Sequence, residues 1–484
     1  MLKQLSGIDS LFLFTENHRA PLEVGCLQIY DPATAPAGTV RFKEILATFQ
    51  QRLDRVDLFR QKLVEVPFSL DYPYWTEDGD FDLEYHVRHI SLPKPGDWEQ
   101  LMAQVARLQA RQLDHSRPLW MAHVIEGLED IPGVPAGAFA VFMKFHHAAI
   151  DGATGQDVQA MMHDREPLQA DASSYRPSIG PGEEDEKPGA WSLLARAPFN
   201  TALRSTKLGL GLLFALPGAL RVGLSRSRTP KTPVPDTVFN PARVSPNRVI
   251  GARFFDLEDF RAIRATCRGA TVNDVALTVI AGGLRYYLEA RESLPDEPLV
   301  AGCPINVGSR ADAAEGRANL LSIMTPPLHT DIRDPLERLR ATCDDTLGAK
   351  ATTAALGKTT LTRIPMNLPA PVAKSLYPLL VTLSVQSRTL LFNTLISNVA
   401  IDGGPLYFAG AKLVKVLATA PPFDQWAVFH TVVSCGGEMS IAFTACRETL
   451  PDAAFYAECI EASFHELKTA ALGEPKVRPL AAAR

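Results

Sequence analysis

Two adjacent histidines, His146 and His147, are followed by Ala148-Ala149-Ile150 and then by Asp151-Gly152. The spacing gathers proton-transfer groups where an apolar run, Ala136 to Phe145, gives way to a loop, and such edges are where sites are built. Imidazole has an unperturbed pKa of about 6.5, so a neutral ring can take a proton from an alcohol as it attacks a carbonyl. Side chains alternate along a strand, so His146 and His147 point to opposite faces and only one of them faces a given cleft. Asp151 either orients a base directly, as in a triad, or holds the loop through an arginine while Gly152 permits a turn that a side chain would block. The tight loop implied by the short gap favours the structural role. Histidines on opposite faces are poorly placed to chelate one ion, so no metal is expected at His146, His147 and Asp151. The sequence holds no Gly-x-x-x-x-Gly-Lys loop, Gly-x-Gly-x-x-Gly turn or Gly-x-Ser-x-Gly elbow, which points to direct transfer over a covalent serine intermediate. His163, His329, His430 and His465 read as packed or surface residues.

The elements that position this chemistry follow from periodicity. Gly25 to Tyr30 alternates like a half-buried strand, Arg41 to Leu53 has helical spacing, and Trp98 to Leu113 reads as an amphipathic helix. Leu119 to Glu126 and Ala136 to Phe145 read as paired strands joined by a loop rich in glycine and proline, with a helix from Gln156 to Met162 beyond the histidines. The stretch from Glu166 to Pro188, with its run Glu183-Glu184-Asp185-Glu186, is a linker signature, and the proline-rich stretch from Thr229 to Asn247 closes it. Between them, Trp191 to Arg228 is apolar, punctuated by arginine and lysine, and free of acids. That composition fits an interfacial helix equally as well as a helix packed on the core with solvated arginines. Gly209 and Gly211 argue against one long helix there. In the second half, helices are expected at Leu257 to Cys267, Asn273 to Arg291 and Ala453 to Ala470. Strands are expected at Arg248 to Phe255, Pro298 to Val307, Phe392 to Val399, Lys412 to Ala418, Ala427 to Ser434 and Met439 to Cys446. Both halves therefore read as mixed α/β layers. The expected division is residues 1–165 as a first domain carrying the histidines, 166–247 as the linker and 248–484 as a second domain.

Composition bounds the function. The 484 residues are 46% apolar and 21% charged with a net charge of -5, the profile of a folded chain without the basic face that nucleic acid requires. The seven cysteines are scattered and never form a Cys-x-x-Cys pair, which fits reduced thiols. The N-terminal segment breaks its apolar character at Asp9, Glu16 and His18, unlike a secretion signal. The longest apolar stretch, Leu208 to Leu220, is interrupted by Pro217 and falls short of the about 20 residues that cross a bilayer. A cytoplasmic protein is expected, peripherally associated with the inner membrane face or lipid inclusions.

The His-His-x-x-x-Asp-Gly segment resembles the active-site motif of the condensation-domain and CoA-dependent acyltransferase superfamily. Nearly the whole chain is similar to the bacterial wax ester synthase/diacylglycerol acyltransferase family, through Leu5 to Tyr30, Pro118-Leu119-Trp120, Thr271-Val272-Asn273-Asp274-Val275, Pro304 to Arg310 and Ile396-Ser397-Asn398-Val399. The resemblance implies two chloramphenicol-acetyltransferase-like α/β domains sharing a cleft or tunnel, and acyl transfer from acyl-CoA to diacylglycerol or a long-chain alcohol. It implies His147 as the base, His146 packed behind it, Asp151 supporting the loop with Arg310 as partner, and Asn273 and Asp274 lining the cleft. Asn273 then either donates a hydrogen bond to the thioester oxygen or caps a helix, roles that are not exclusive. No cofactor or metal is implied, since acyl-CoA is a substrate. A carrier-protein-dependent condensation enzyme and a catalytically idle lipid-binding protein are the alternatives. The chain departs from the family pattern at Ala400 to Pro405, where many members have Pro-Gly-Pro after Ser-Asn-Val, and at Ala318-Asn319, where Gly-Asn is common.

Overall fold

Nine consecutive buried residues, Ala138–His146, form the strand that carries the double histidine to its end. A strand buried on both faces must lie inside a sheet covered on both sides, and the rest of the fold supplies that cover. The computed structural model describes residues 3–150, 158–177, 189–226, 234–306, 321–355, 367–387, 390–401 and 403–473.

Along the chain, β1 (Lys3–Gln4) and α1 (Asp9–Thr15) precede β2 (Glu23–Asp31) and α2 (Phe42–Arg52). Then come β3 (Gln61–Val64), β4 (Tyr74–Glu77), α3 (Leu83–His86), β5 (Val87–Ser91), α4 (Trp98–Gln109), β6 (Trp120–Leu128) and β7 (Ala138–His146). A long helix, α5 (Ala190–Arg226), leads to β8 (Arg248–Asp256), α6 (Leu257–Thr266), α7 (Val272–Glu289), β9 (Ala301–Asn306), β10 (Leu321–Met324) and α8 (Pro335–Ala355). The chain closes through α9 (Ala370–Ser387), β11 (Thr394–Ala400), β12 (Tyr407–Phe408), β13 (Ala411–Thr419), β14 (Val428–Cys435), β15 (Glu438–Cys446) and α10 (Ala453–Leu472).

Two six-stranded mixed sheets result, ordered β12-β13-β2-β7-β6-β5 and β10-β9-β11-β14-β15-β8, beside a small sheet β1-β4-β3. The expected α/β class with two mixed sheets is what the chain forms. The domain boundary differs: β12 and β13, from the C-terminal half, join the first sheet, where β13 runs antiparallel to β2 from Lys412↔Asp31 to Thr419↔Gly25. Alternation marks Lys412 to Ala418 as a strand but says nothing of its partner, so a division by position in the chain assigned it to the wrong sheet. Gly25 lets this strand approach, because a Cβ there would lie 2.5 Å from Thr419 Oγ1 and 2.7 Å from the Phe142 ring.

Three apolar cores hold the layers. One surrounds Trp120, Tyr30, Phe49 and Phe408, and a second surrounds Tyr287, Tyr456 and Phe464. The third joins the two sheets, with Leu27, Ile29 and Phe142 of the first packed with Ile250, Ala252 and Ala442 of the second. The α4 helix lies against that seam, its Asp97 cap accepting Gln100 N–H at 2.8 Å and its Leu101 and Val105 fully buried. The α5 helix runs unbroken through Gly209 and Gly211, against expectation. Interior glycine costs a helix about 1 kcal/mol relative to alanine without removing a hydrogen bond, and the rest of the ladder carries it.

Candidate active site

The strand β7 ends at His146, whose ring is fully buried, and the next residue, His147, is half-buried. Their main chain is fixed from both sides: His146 N–H donates to Leu119 O at 3.0 Å and His147 N–H to Leu22 O at 2.9 Å. The Pro118-Leu119-Trp120 segment therefore supports the double histidine, with Trp120 opposite Phe145 in the sheet and its indole N–H bonded to Phe59 O.

The two rings diverge as strand alternation requires. The His147 ring stacks on Phe12 of α1, centroids 3.9 Å apart and planes 9° from parallel. The His146 ring turns inward, its Nδ1 accepting the Ala148 N–H at 3.0 Å. A neutral imidazole that accepts at Nδ1 carries its proton on Nε2. That Nε2 faces the Glu16 carboxylate at 3.5 Å, and His115 Nε2 lies 3.0 Å from the same oxygen. Glu16 Oε1 accepts the Leu22 N–H at 2.9 Å, so Leu22 is held by Glu16 through its nitrogen and holds His147 through its carbonyl.

Burial pushes the Glu16 carboxyl up, but its close contacts with the His115 and His146 rings and the Leu22 N–H bond outweigh it and hold Glu16 well below the usual carboxylate range. The Glu16 contact in turn raises His115 above its ordinary value, against the opposing effect of burial. Glu16, His115 and His146 bring one oxygen and two nitrogens within 4.8 Å of one another, a geometry that could hold a metal ion. The tautomer argues otherwise: with Nδ1 engaged by Ala148 N–H, His146 presents a protonated Nε2 to the cluster, and a metal ligand needs a lone pair there. The cluster is better described as an anionic carboxylate holding two imidazoles.

A neighbouring buried group strengthens the same wall. Glu23 Oε1 accepts Leu113 N–H at 2.8 Å, and Gln109 donates to Glu23 O while accepting from Thr419 Oγ1 at 2.8 Å, tying β2, α4 and the crossing strand β13 together. From the other half, Arg248 at the start of β8 donates to Arg19 O at 2.6 Å and bridges to Pro422 O at 3.4 Å.

The other residues expected at the site divide. Asp151, Gly152 and Arg310 lie outside the described residues, as do Ala318 and Asn319. Asn273 is not the cap of α7: that role falls to Thr271, which forms a capping box with Asp274, and Asn273 occupies the second helical position. A hydroxyl three residues before a carboxylate meets the cap geometry, so Thr271 outcompetes the amide. The Asn273 carbonyl oxygen accepts from Asn398 Nδ2 at 3.0 Å, bringing together two distant segments singled out in the sequence. Asp274 does not line a cleft. It is 1% exposed, and its carboxylate takes Thr271 N–H, Thr271 Oγ1 and Thr346 Oγ1, each at 2.7 Å.

His163 and His430 are packed, as expected, bonded to Tyr30 OH at 2.8 Å and Tyr456 OH at 2.6 Å, and burial lowers them to about 4 and about 3. Glu16, His115, Phe12 and Leu22 were not singled out as site residues by the sequence. They lie far from the histidines in the chain, and a lone carboxylate after a short apolar helix carries no motif. An about 830 Å³ cavity lined by Phe254, Lys412, Lys415, Cys435 and Glu438 lies at the other end of β13 from Thr419, away from His147.

The wax ester synthase/diacylglycerol acyltransferase catalytic-domain family matches residues 5–276, and the C-terminal domain of the same family matches residues 318–468. A Mycobacterium tuberculosis protein named by inference as a diacylglycerol O-acyltransferase is 32% identical over 480 residues, covering 96% of this chain and 99% of that one. The solved wax ester synthase/diacylglycerol acyltransferase from Marinobacter aquaeolei VT8 superposes with a TM-score of 0.66 at 26% identity, over 97% of this chain and 100% of that one. A trichothecene 15-O-acetyltransferase from Fusarium sporotrichioides shares the fold at 11% identity, with a TM-score of 0.58 over 96% of this chain and 94% of that one.

Proposed function

The chain belongs to the wax ester synthase/diacylglycerol acyltransferase family, and from that premise we propose that it works by direct transfer with His147 as the general base. It is an O-acyltransferase that moves a fatty acyl group from acyl-CoA to diacylglycerol or a long-chain alcohol, giving triacylglycerol or wax ester. The His147 imidazole removes the acceptor's hydroxyl proton as the oxygen attacks the thioester carbonyl. The tetrahedral intermediate collapses with loss of the CoA thiolate, which takes the same proton back from His147. Thioester and ester carbons share an oxidation state, so no redox cofactor is needed, and the ring supplies the proton transfer without a metal.

One observation carries this reading: of the two histidines, His147 is the one that is only half-buried, and its ring is held flat by Phe12 on a main chain pinned through Leu22. A flat imidazole with a fixed backbone pre-organises the base, and mispositioning by an ångström costs such a step about 100-fold. We assign Asn273 a supporting role. Its carbonyl is occupied by Asn398, which leaves its amide N–H groups to donate to the developing oxyanion. The work takes place at a lipid surface, because acyl chain and acceptor are both poorly soluble. Among the described residues no helix is long and apolar enough to cross a membrane, and the lipid nature of both substrates supports peripheral attachment.

The test uses purified full-length protein with a long-chain acyl-CoA and either a long-chain alcohol or diacylglycerol, following free thiol and ester together. The expected result is ester formation that His147→Ala lowers by about 10²–10⁴-fold with an unchanged melting profile. Undiminished transfer in that variant overturns the role of His147, and thiol release with neither acceptor favours carrier-dependent condensation or an idle lipid binder.

A further inference from the structure

The second half of α9 breaks the rule that a helix apolar on all sides is buried. Leu379, Leu380, Val381, Thr382 and Leu383 are consecutive and all exposed, Leu380 at 51%. The inner side of the same helix is packed normally, with Ala373 and Tyr377 against Tyr72 and the α1 residues Leu11 and Phe14. A similar division runs along α5. Its Leu193 and Ala197 are buried, whereas Phe199 is 72% exposed and Leu203 and Leu210 are open. At 3.6 residues per turn those three fall within about 40° of one another, with Arg196 and Lys207, both exposed, along one margin.

The turn Pro67–Ser69 joins these two faces. Phe68 is 87% exposed although its backbone is held at φ 57°, ψ 15°, a region bulky side chains avoid, and Ser69 also has positive φ. Lys374 of α9 donates to Ser69 Oγ at 2.6 Å, and α5 packs on the same turn. The strained phenylalanine thus stands between two exposed apolar helix faces.

We propose that α5, the Pro67–Ser69 turn and the outer side of α9 form one docking face for an anionic phospholipid leaflet, from which the lipid acceptor is delivered to α1 and His147. The proposal rests on the reading that the acceptor is a lipid. Charge selects the occupant. Neither helix contains an aspartate or glutamate, and Arg196, Lys207 and Lys374 sit among the apolar residues. Apolar insertion with flanking cations is the chemistry of an anionic interface. A second copy is a poor match, because a two-fold contact would press this all-cationic face against itself. The face also leads to the site: α9 packs on α1, and α1 carries the Phe12 that stacks on His147.

The experiment measures partition of the full-length protein onto phosphatidylcholine vesicles with and without phosphatidylglycerol, in the absence of acyl-CoA. Thiol release is followed separately with a short, water-soluble alcohol as acceptor. A cation near an anionic surface strengthens partition by about fivefold. Arg196→Glu with Lys207→Glu should therefore cut binding to the anionic vesicles at least about 25-fold, by loss of two such contributions. Phe68→Ser with Leu380→Ser and Leu383→Ser should weaken binding to both vesicle types by tenfold or more. Both variants should retain the wild-type melting profile and the thiol release seen with the soluble acceptor. Wild-type partition in either variant overturns the proposal, as does a concentration-dependent dimer that the same substitutions dissociate. Vesicle binding as expected with no thiol release from acyl-CoA in the presence of a long-chain alcohol or diacylglycerol leaves the docking face standing and removes the acyltransferase reading instead.

Discussion

Glu16→Gln isolates the device that holds His147. In the wild type, Oε1 of Glu16 accepts Leu22 N–H, and Oε2 serves the His115 and His146 imidazoles. The amide retains an acceptor for Leu22 but offers N–H groups where the protonated Nε2 of His146 and the cationic His115 need an oxygen. His146 Nε2 faces Glu16 Oε2 at 3.5 Å without hydrogen-bond geometry, so losing that oxygen costs about 1 kcal/mol at any pH, the low end for such a contact. Loss of the charged His115 contact adds about 1 kcal/mol, the worth of a partly screened ion pair, because the His115 side chain is 39% exposed. That second part depends on pH. Because its folded pKa is raised, His115 contributes stability fully below its ordinary 6.5 and loses it as pH rises through the higher folded value. Glu16, with a depressed folded pKa, contributes above its ordinary 4.5 and loses the contribution as pH falls through the folded value. The variant's deficit should therefore peak between 4.5 and 6.5, at about 2 kcal/mol summed from the two parts, and shrink to the pH-independent part in alkaline buffer. Thermal unfolding of both proteins across that range reads it directly. Turnover and KM should change little, because the amide still accepts Leu22 N–H and Leu22 still fixes the His147 main chain. A deficit that is equal at pH 5.5 and in alkaline buffer, or that grows with pH, refutes the ion-pair reasoning.

Other perturbations separate structural from chemical roles. Asp274→Ala removes a capping box and the Thr346 bond, so a loss of about 2 kcal/mol or more in denaturant stability is expected, with turnover per folded molecule retained; a variant that stays stable but inactive would return Asp274 to the chemistry. Gly25→Ala places a methyl group against Thr419 and Phe142, and an overpacking cost of about 1–3 kcal/mol should show as a lower melting temperature and faster exchange of β13 amides; unchanged exchange would mean that the crossing strand tolerates the shift. Phe12→Ala should raise the mobility of the His147 ring and lower turnover while His115 titrates as in the wild type, which NMR of the imidazoles can follow. A His115 shift in that variant would show that the stack and the Glu16 cluster are one unit.

Much of the secondary structure was legible along the chain, because local periodicity reports which residues of a segment face a core. The strand that ends in His146-His147 is an uninterrupted apolar run, and its position between β2 and β6 is the one such a run requires. The opposite facing of the two histidines also followed from alternation alone. Partnership did not. The assignment of β13 to the first sheet, the Glu16 bridge between His115 and His146, and the Arg248 link to Arg19 all join residues far apart in sequence, and no local pattern encodes them. Asn273 and Asp274 show the same limit within a single motif: both looked available for chemistry, but Thr271 and Thr346 occupy the aspartate, whereas the asparagine turns to Asn398. The sequence alone settled which residue types stand at the strand end, because that is a matter of order along the chain. Which of them is shielded, charged and held in place was decided by tertiary structure, because burial and ion pairing depend on what the rest of the chain brings within a few ångströms.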